Sequence, residues 1–348
     1  MIINGKEISI PIIQGGMGIG VSLGNLAGHV AKCGAIGIVS SVNAGYREPD
    51  FDKKSKEANL RALAQEIKKA KDIALGKGLV GVNIMTAVTN YEETVKAAVK
   101  AGADVIISGA GLPLKLPEFL KGSDTLCAPI VSSARAAQVL LRHYKKRYQR
   151  KPDFFVLEGY KAGGHLGFSK EELLGNEAKS NDEILDELLE VAEDIPVFVA
   201  GGVFDGKDMA HFMKKGAAGV QIGTRFIATD ECDASMEYKQ AIINAKEEDL
   251  IITVSPVGMP ARAVNSPLLK RLKEGKSFRA LRCNNCLTAC KKNEETPYCI
   301  SRALIEAVKG NWEDGLFFTG ANAGRINRMY SVKELIDEIY GEYKEAMA

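Results

Sequence analysis

A chain of 348 residues has room for one large α/β domain with an appendage, since eight strand and helix units take about 250 residues. Its composition, 46% hydrophobic and 26% charged with 35 glycines, is that of a packed globular protein and not of a disordered one. With 46 basic against 44 acidic residues the net charge is +2, too small to draw in nucleic acid or an anionic membrane, so a small-molecule partner is expected.

The first residues, MIINGKEISIPIIQGG, lack the basic and apolar regions of a leader, and no apolar run approaches the ~18 residues of a membrane span. A cytoplasmic setting is therefore expected, in which the seven cysteines read as thiols or metal ligands. Short apolar runs follow one another along the chain: Pro11 to Ile13, Ala35 to Val39, Leu79 to Asn83, Asp104 to Ser108, Ala128 to Val131, Phe154 to Leu157, Val197 to Ala200 and Gly219 to Ile222. They are continuously apolar, as strands buried on both faces of a parallel sheet are. Helix-like segments lie between them, among them Lys56 to Ala74, Tyr91 to Ala101, Ala134 to Tyr144, Asp182 to Ala192 and Asp208 to Lys215. The repeat predicts a TIM (β/α)8 barrel, with a doubly wound open sheet as the rival. Gly102 and Gly216 read as helix ends only. Beyond the eighth run, Glu231 to Lys246 reads as helix and Leu250 to Val254 as strand, and Ser331 to Ala348 is an amphipathic helix. The chain is divided accordingly into a barrel, 1 to 250, and a C-terminal cap, 251 to 348.

Barrel active sites lie at the C-terminal ends of the strands. There the loop Gln14, Gly15, Gly16, Met17 offers bare backbone to a flat ring, and the Asn83 amide can both donate and accept. After the sixth run, Glu158 leads into a glycine-rich loop, Gly163, Gly164, His165, Leu166, Gly167. Of four histidines, His29, His143 and His211 fall inside helix-like segments, whereas His165 sits on this loop and suits acid-base work or hydrogen bonding near neutral pH. Gly201 and Gly202 after the seventh run, with Gln221, Ile222, Gly223 and Thr224 at the eighth, form a phosphate-binding pattern where barrels commonly grip one. A single phosphate points to FMN. A lyase, an isomerase or a simple binding protein would share the glycine loops, but would leave His165 and Asn83 with less to do.

In this order, Pro11-Ile-Ile-Gln-Gly-Gly-Met, Gly81-Val-Asn83, Ala162-Gly-Gly-His165, Ala200-Gly-Gly and Gln221-Ile-Gly-Thr-Arg-Phe226 resemble the nitronate monooxygenase family, whose superfamily includes FMN-type enoyl-ACP reductases. The resemblance spans residues 1 to about 230. It implies an FMN-binding TIM barrel, with contacts from Asn83, Gly163, Gly202, Gln221, Ile222, Gly223 and Thr224 and with His165 as the active-site histidine. Oxidation of alkyl nitronates is the first activity implied. The alternative is NAD(P)H-dependent reduction of the enoyl-ACP type, with an acyl carrier protein as partner. Glu158 stands where the monooxygenases typically have Gln, and Lys161 where an acidic residue is usual; Glu158 is closer to the reductase branch.

The ordinary family pattern lacks one element, Cys283-x2-Cys286-x3-Cys290-x8-Cys299. Four close thiols suit a [4Fe-4S] cluster, a structural zinc ion, or free and redox-active cysteines, and the spacing leaves all three open. The neighbouring basic stretch of Lys270, Arg271, Lys273, Lys276, Arg279 and Arg282 reads as a solvated face or as a docking surface for an acidic carrier.

Overall fold

The computed structural model describes residues 1–277, 283–290 and 296–348. Eight parallel strands form a closed barrel. They are β1 Ile12–Gln14, β2 Ile36–Ser40, β3 Leu79–Met85, β4 Val105–Gly109, β5 Leu126–Val131, β6 Phe155–Glu158, β7 Val197–Ala200 and β8 Gly219–Ile222. Each strand pairs with its neighbours in sequence, and β8 closes on β1 through Val220 opposite Ile12 and Ile222 opposite Gln14. The TIM barrel expected from the βα repeat is the observed fold, and the open-sheet rival falls because no strand is left with a free edge on the barrel.

Side chains alternate along a strand, so one set fills the barrel and the other meets the helices. Ile13, Ile36, Ile38, Val105, Ile107, Ala128, Phe154, Val156 and Phe198 form the inner cluster, with Ile3 and Ile8 of the N-terminal segment packed against it. The outer layer holds α1 Gly24–Lys32, α2 Ser55–Ala74, α3 Tyr91–Lys100, the one-turn α4 Leu116–Phe119, α5 Ala134–Tyr148, α6 Asn181–Ala192 and α7 Gly206–Lys214. Local chemistry starts several of them. Ser180 and Glu183 form a reciprocal capping box on α6, and the Asp205 carboxylate accepts from the backbone N–H groups of Lys207 and Asp208 on α7.

The eighth shell helix, α8 Val332–Met347, comes from the end of the chain and packs between α7 and α1, where Glu342 accepts the Gly206 N–H at 2.8 Å. The antiparallel hairpin Leu250–Val254 and Pro260–Val264 pairs with a two-residue strand, Gly164–His165. Residues beyond 250 therefore contribute both to the shell and to the loops over the barrel mouth. The helix expected over Glu231 to Lys246 is confined to Met236–Ile243, because Asp233 serves elsewhere: its carboxylate accepts from the Leu23 and Leu26 N–H groups at the start of α1. Among the described residues, no helix is long and apolar enough to cross a membrane.

On α8, Val332, Leu335, Ile336 and Ile339 are fully buried. At about 1.5 kcal/mol or more for each buried aliphatic side chain, deleting residues 331 to 348 removes stabilisation comparable to the whole stability of a typical domain. The truncated chain is expected to be insoluble or to lack a cooperative thermal transition by circular dichroism.

Candidate functional site

The strand ends open into one cavity of about 410 Å³, within the range of small-molecule sites. Gly15, Gly16, Met17, Asn83, Glu158, Gly163, Gly164, His165, Gly201, Gly202, Gln221, Gly223 and Thr224 all line it. Gln14 and Ile222 do not. Gln14 is buried within the barrel wall, where its amide donates to the Gly15 carbonyl and accepts from the Ile38 N–H, and the Ile222 side chain packs in the outer core. Both hold the loops that reach the cavity.

The floor is polar above an apolar barrel. Alternation carries Glu158 to the inner face shared by Phe154 and Val156, and puts Asn83 on the inner row of β3, one inward position before Met85, and Gln221 at the end of the inner row of β8. Gln221 Oε1 is buried without a partner. Among the described residues, neither the Asn83 amide nor the Glu158 carboxyl has a side-chain hydrogen bond. At Gly16 a Cβ would collide with Asn83, so the floor stays bare backbone there. Three unsatisfied polar side chains beside exposed peptide groups match the needs of a flat heterocycle with donors and acceptors along its edge.

Burial without a counter-charge lifts the Glu158 carboxyl to about 7. The same desolvation lowers His165 to about 4, so its imidazole is neutral at neutral pH. His165 Nε2 is buried and unpartnered, and the ring meets the edge of Phe318 at 5.5 Å between centroids. The loop does not hold this histidine alone. Leu166 donates to the Pro260 carbonyl at 2.9 Å, and Arg262 donates to the carbonyls of Tyr160 and Ala162, both at 2.7 Å.

At the other end, Gly201 and Gly202 take φ of +82° and +107°, a conformation that L side chains rarely adopt. Asn181 donates to the carbonyls of Ala200 and Gly201, and Asn322 to that of Gly202 at 2.5 Å. The Gly320 N–H donates to Thr224 Oγ1 at 2.9 Å. Arg225 lines the cavity, but its charge is engaged by Glu338 at 2.8 Å and its guanidinium lies between the rings of Phe204 and Tyr330. Lys161 also lines the cavity and has no carboxylate partner among the described residues. Phe318, Thr319, Asn322 and Arg262 were not anticipated from sequence. The small-residue run Thr319-Gly-Ala-Asn322 after an apolar stretch was the available signal.

The chain matches the Nitronate monooxygenase family over residues 2–342. It belongs to that family. A "(3aS,4S,5R,7aS)-5-hydroxy-7a-methyl-1-oxo-octahydro-1H-indene-4-carboxyl-CoA dehydrogenase" of Mycobacterium tuberculosis is 27% identical over 95% of this chain and 92% of its own length. A "Probable nitronate monooxygenase" of Staphylococcus saprophyticus is 35% identical, over 35% of this chain and 34% of its own. Among solved structures, FabK from Thermotoga maritima superimposes with a TM-score of 0.73 at 28% identity, covering 98% of this chain and 94% of that one. A nitroalkane oxidase from Streptomyces ansochromogenes shares the fold at 21% identity and TM-score 0.75, covering 98% of this chain and 97% of that one. The family's name and those of the two curated relatives are names of oxidoreductases, and this chain is one.

Of the other histidines, His29 donates from Nδ1 to the Asn25 carbonyl within α1, His143 lies on α5, and His211 pairs with Asp182 at 2.6 Å on the barrel exterior. All seven cysteines are unpaired. Cys286 shares a 2.9 Å hydrogen bond with Ser301, and its neighbours Leu287, Ile300 and Ser301 line the cavity. Among the described residues, no three His, Cys, Asp or Glu side chains gather as a metal site, so of the three alternatives for Cys283, Cys286, Cys290 and Cys299 the iron-sulfur cluster and the zinc ion find no support in this arrangement. The basic stretch is partly neutralised within the chain: Arg271 meets Glu313 and Asp314, and Lys276 meets Glu274. Arg279 and Arg282 lie outside the described residues.

Burial pushes the Cys127 and Cys232 thiols up to about 12, whereas Cys283 is exposed. In the native protein a thiol reagent is expected to label Cys283 first, with Cys127 and Cys232 reacting only on unfolding; peptide mapping after a time course reads the order. Labelled-histidine NMR is expected to show His165 still neutral at pH 5.

Proposed function

We propose that this chain is an FMN-dependent oxidoreductase whose cavity takes the flavin ring over Gly15, Gly16, Asn83 and Gln221 and the phosphate beside Gly201, Gly202, Gly223 and Thr224. The observation that carries this reading is the set of cavity-facing polar groups without protein partners, set among glycines. Lys161 supplies a positive charge near the glycine loops, since its side chain lies against Gly202. The flavin would supply two-electron chemistry that no side chain here can perform.

For the substrate we put first an acyl thioester whose reacting, carbonyl-conjugated part is uncharged, with NAD(P)H as the source of electrons. Two points favour it. The similarity to the carboxyl-CoA dehydrogenase runs nearly the full length of both chains, whereas the similarity to the probable nitronate monooxygenase covers about a third. In addition, a neutral His165 offers a hydrogen bond or accepts a proton but brings no charge to an anion. In this reading Nε2–H donates to the substrate carbonyl, Phe318 holds the imidazole plane, and the hairpin strand Pro260–Val264 fixes the loop. Oxidation of alkyl nitronates is the second reading, favoured by the family match over residues 2–342. There His165 would donate to a nitro oxygen, or take a proton from a neutral nitroalkane.

An anaerobic absorption spectrum of the purified protein is the test. Flavin bands bleached by NADH or NADPH and restored by crotonyl-CoA support the thioester reading. Bleaching by ethyl nitronate alone supports the second, and protein that neither carries nor binds FMN refutes both. His165→Ala is expected to keep its flavin and lose turnover by about a hundredfold.

A further inference from the structure

Glu158 is the only acid among the described residues that line the cavity. It ends β6 with its side chain on the inner face, level with Ala200 of β7 across the strand pair. Carboxylates in such places are normally met by a cation or by several N–H donors, because an unpaired buried charge is costly. The charged or titratable groups around it are Lys161 and His165 on its own loop, Arg225 after β8, Arg262 of the hairpin and Tyr238. Arg225 is bound to Glu338, Arg262 to the Tyr160 and Ala162 carbonyls, and Tyr238 to the Phe318 carbonyl. None makes a hydrogen bond or ion pair with Glu158, whose ionisation is shifted by burial alone.

A ligand that fills the cavity removes the remaining water from this carboxyl and brings it no compensating cation. The charged form is then further disfavoured, and a second negative charge above it still more so. We propose that Glu158 is protonated when a ligand occupies the cavity, so that binding takes up one proton at this carboxyl whenever it is ionised in the free protein. This rests on the flavin reading of the cavity and gives it a charge rule: the occupant is accepted with one proton taken up at Glu158.

The direction of the pH dependence follows from linkage. Ligand binding requires the protonated carboxyl, so affinity is full below the pKa of Glu158 in the free protein and falls above it, by up to about tenfold per pH unit. Riboflavin is the suitable probe, since it lacks the phosphate that would titrate over the same range. Its dissociation constant for flavin-free protein, read by fluorescence quenching from about pH 5.5 to about pH 8.5, is expected to rise through the upper half of that range. In Glu158→Gln it should stay level, and in Glu158→Asp the rise should persist. Near pH 8 riboflavin should also bind Glu158→Gln about tenfold tighter than wild type, since the variant has no proton to take up.

A level wild-type profile, or the same rise in Glu158→Gln, overturns the inference while leaving the flavin reading intact. If wild type binds no riboflavin at any pH, the flavin reading fails first and this inference falls with it. The wild-type profile needs no variant to fold, so a poorly folded Glu158→Gln does not shelter the proposal.

Discussion

The hydrogen bonds that join Ile12–Gln14 to Gly219–Ile222 on one side and to Ile36–Ser40 on the other close the parallel sheet, and every loop that lines the cavity converges because of that closure. A three-residue strand is a slight element to carry so much. The Gln14 side chain supplements it, accepting the Ile38 N–H at 3.0 Å across to β2 and donating to the Gly15 carbonyl. With the ring closed, the inner rows of its strands lead into one cavity. Asn83, Glu158 and Gln221 then become the floor of one site although they are far apart in sequence.

A second layer of constraint comes from the residues after the barrel. The Gly164–His165 loop would be a flexible connection if it were left to itself, since glycine lowers the cost of every alternative conformation. Strand pairing with Ala261 and Arg262 gives it an edge, the Arg262 guanidinium ties down two of its carbonyls, and Phe318 bounds the imidazole. Burial follows from this packing, and it lowers the basicity of His165 while raising that of Glu158. Both shifts favour the neutral form for the same reason: neither group has been given a charged partner.

Much of the fold was legible because buried parallel strands write themselves as unbroken apolar runs. The limits read for β7 and β8 agree to the residue with Val197–Ala200 and Gly219–Ile222, and the others differ at their ends. The barrel mouth could be located for the same reason, since it lies wherever those runs stop. What sequence could not give was long-range capping and clamping. Asp233 looked like part of a helix, yet it caps α1 from more than two hundred positions away, and α1 has no side-chain cap of its own. Asn322 and Arg262 reach the site through hydrogen bonds to carbonyls of other segments, a use that leaves no pattern in their own neighbourhood. The four cysteines show the converse. Their spacing was conspicuous in the sequence, and no metal site forms around them among the described residues.

The last helix of the shell also bears on how the chain is made. Strand β1 cannot pair with β8 until some two hundred further residues have left the ribosome, and α8 begins more than a hundred residues beyond β8. Until then the apolar face of α1 and the free edge of β1 have no permanent cover. Such late, non-local completion slows folding and exposes surfaces that favour self-association. A nascent chain of this design passes through a long stage as an incomplete ring, when the transient shelter of a chaperone would be of greatest value.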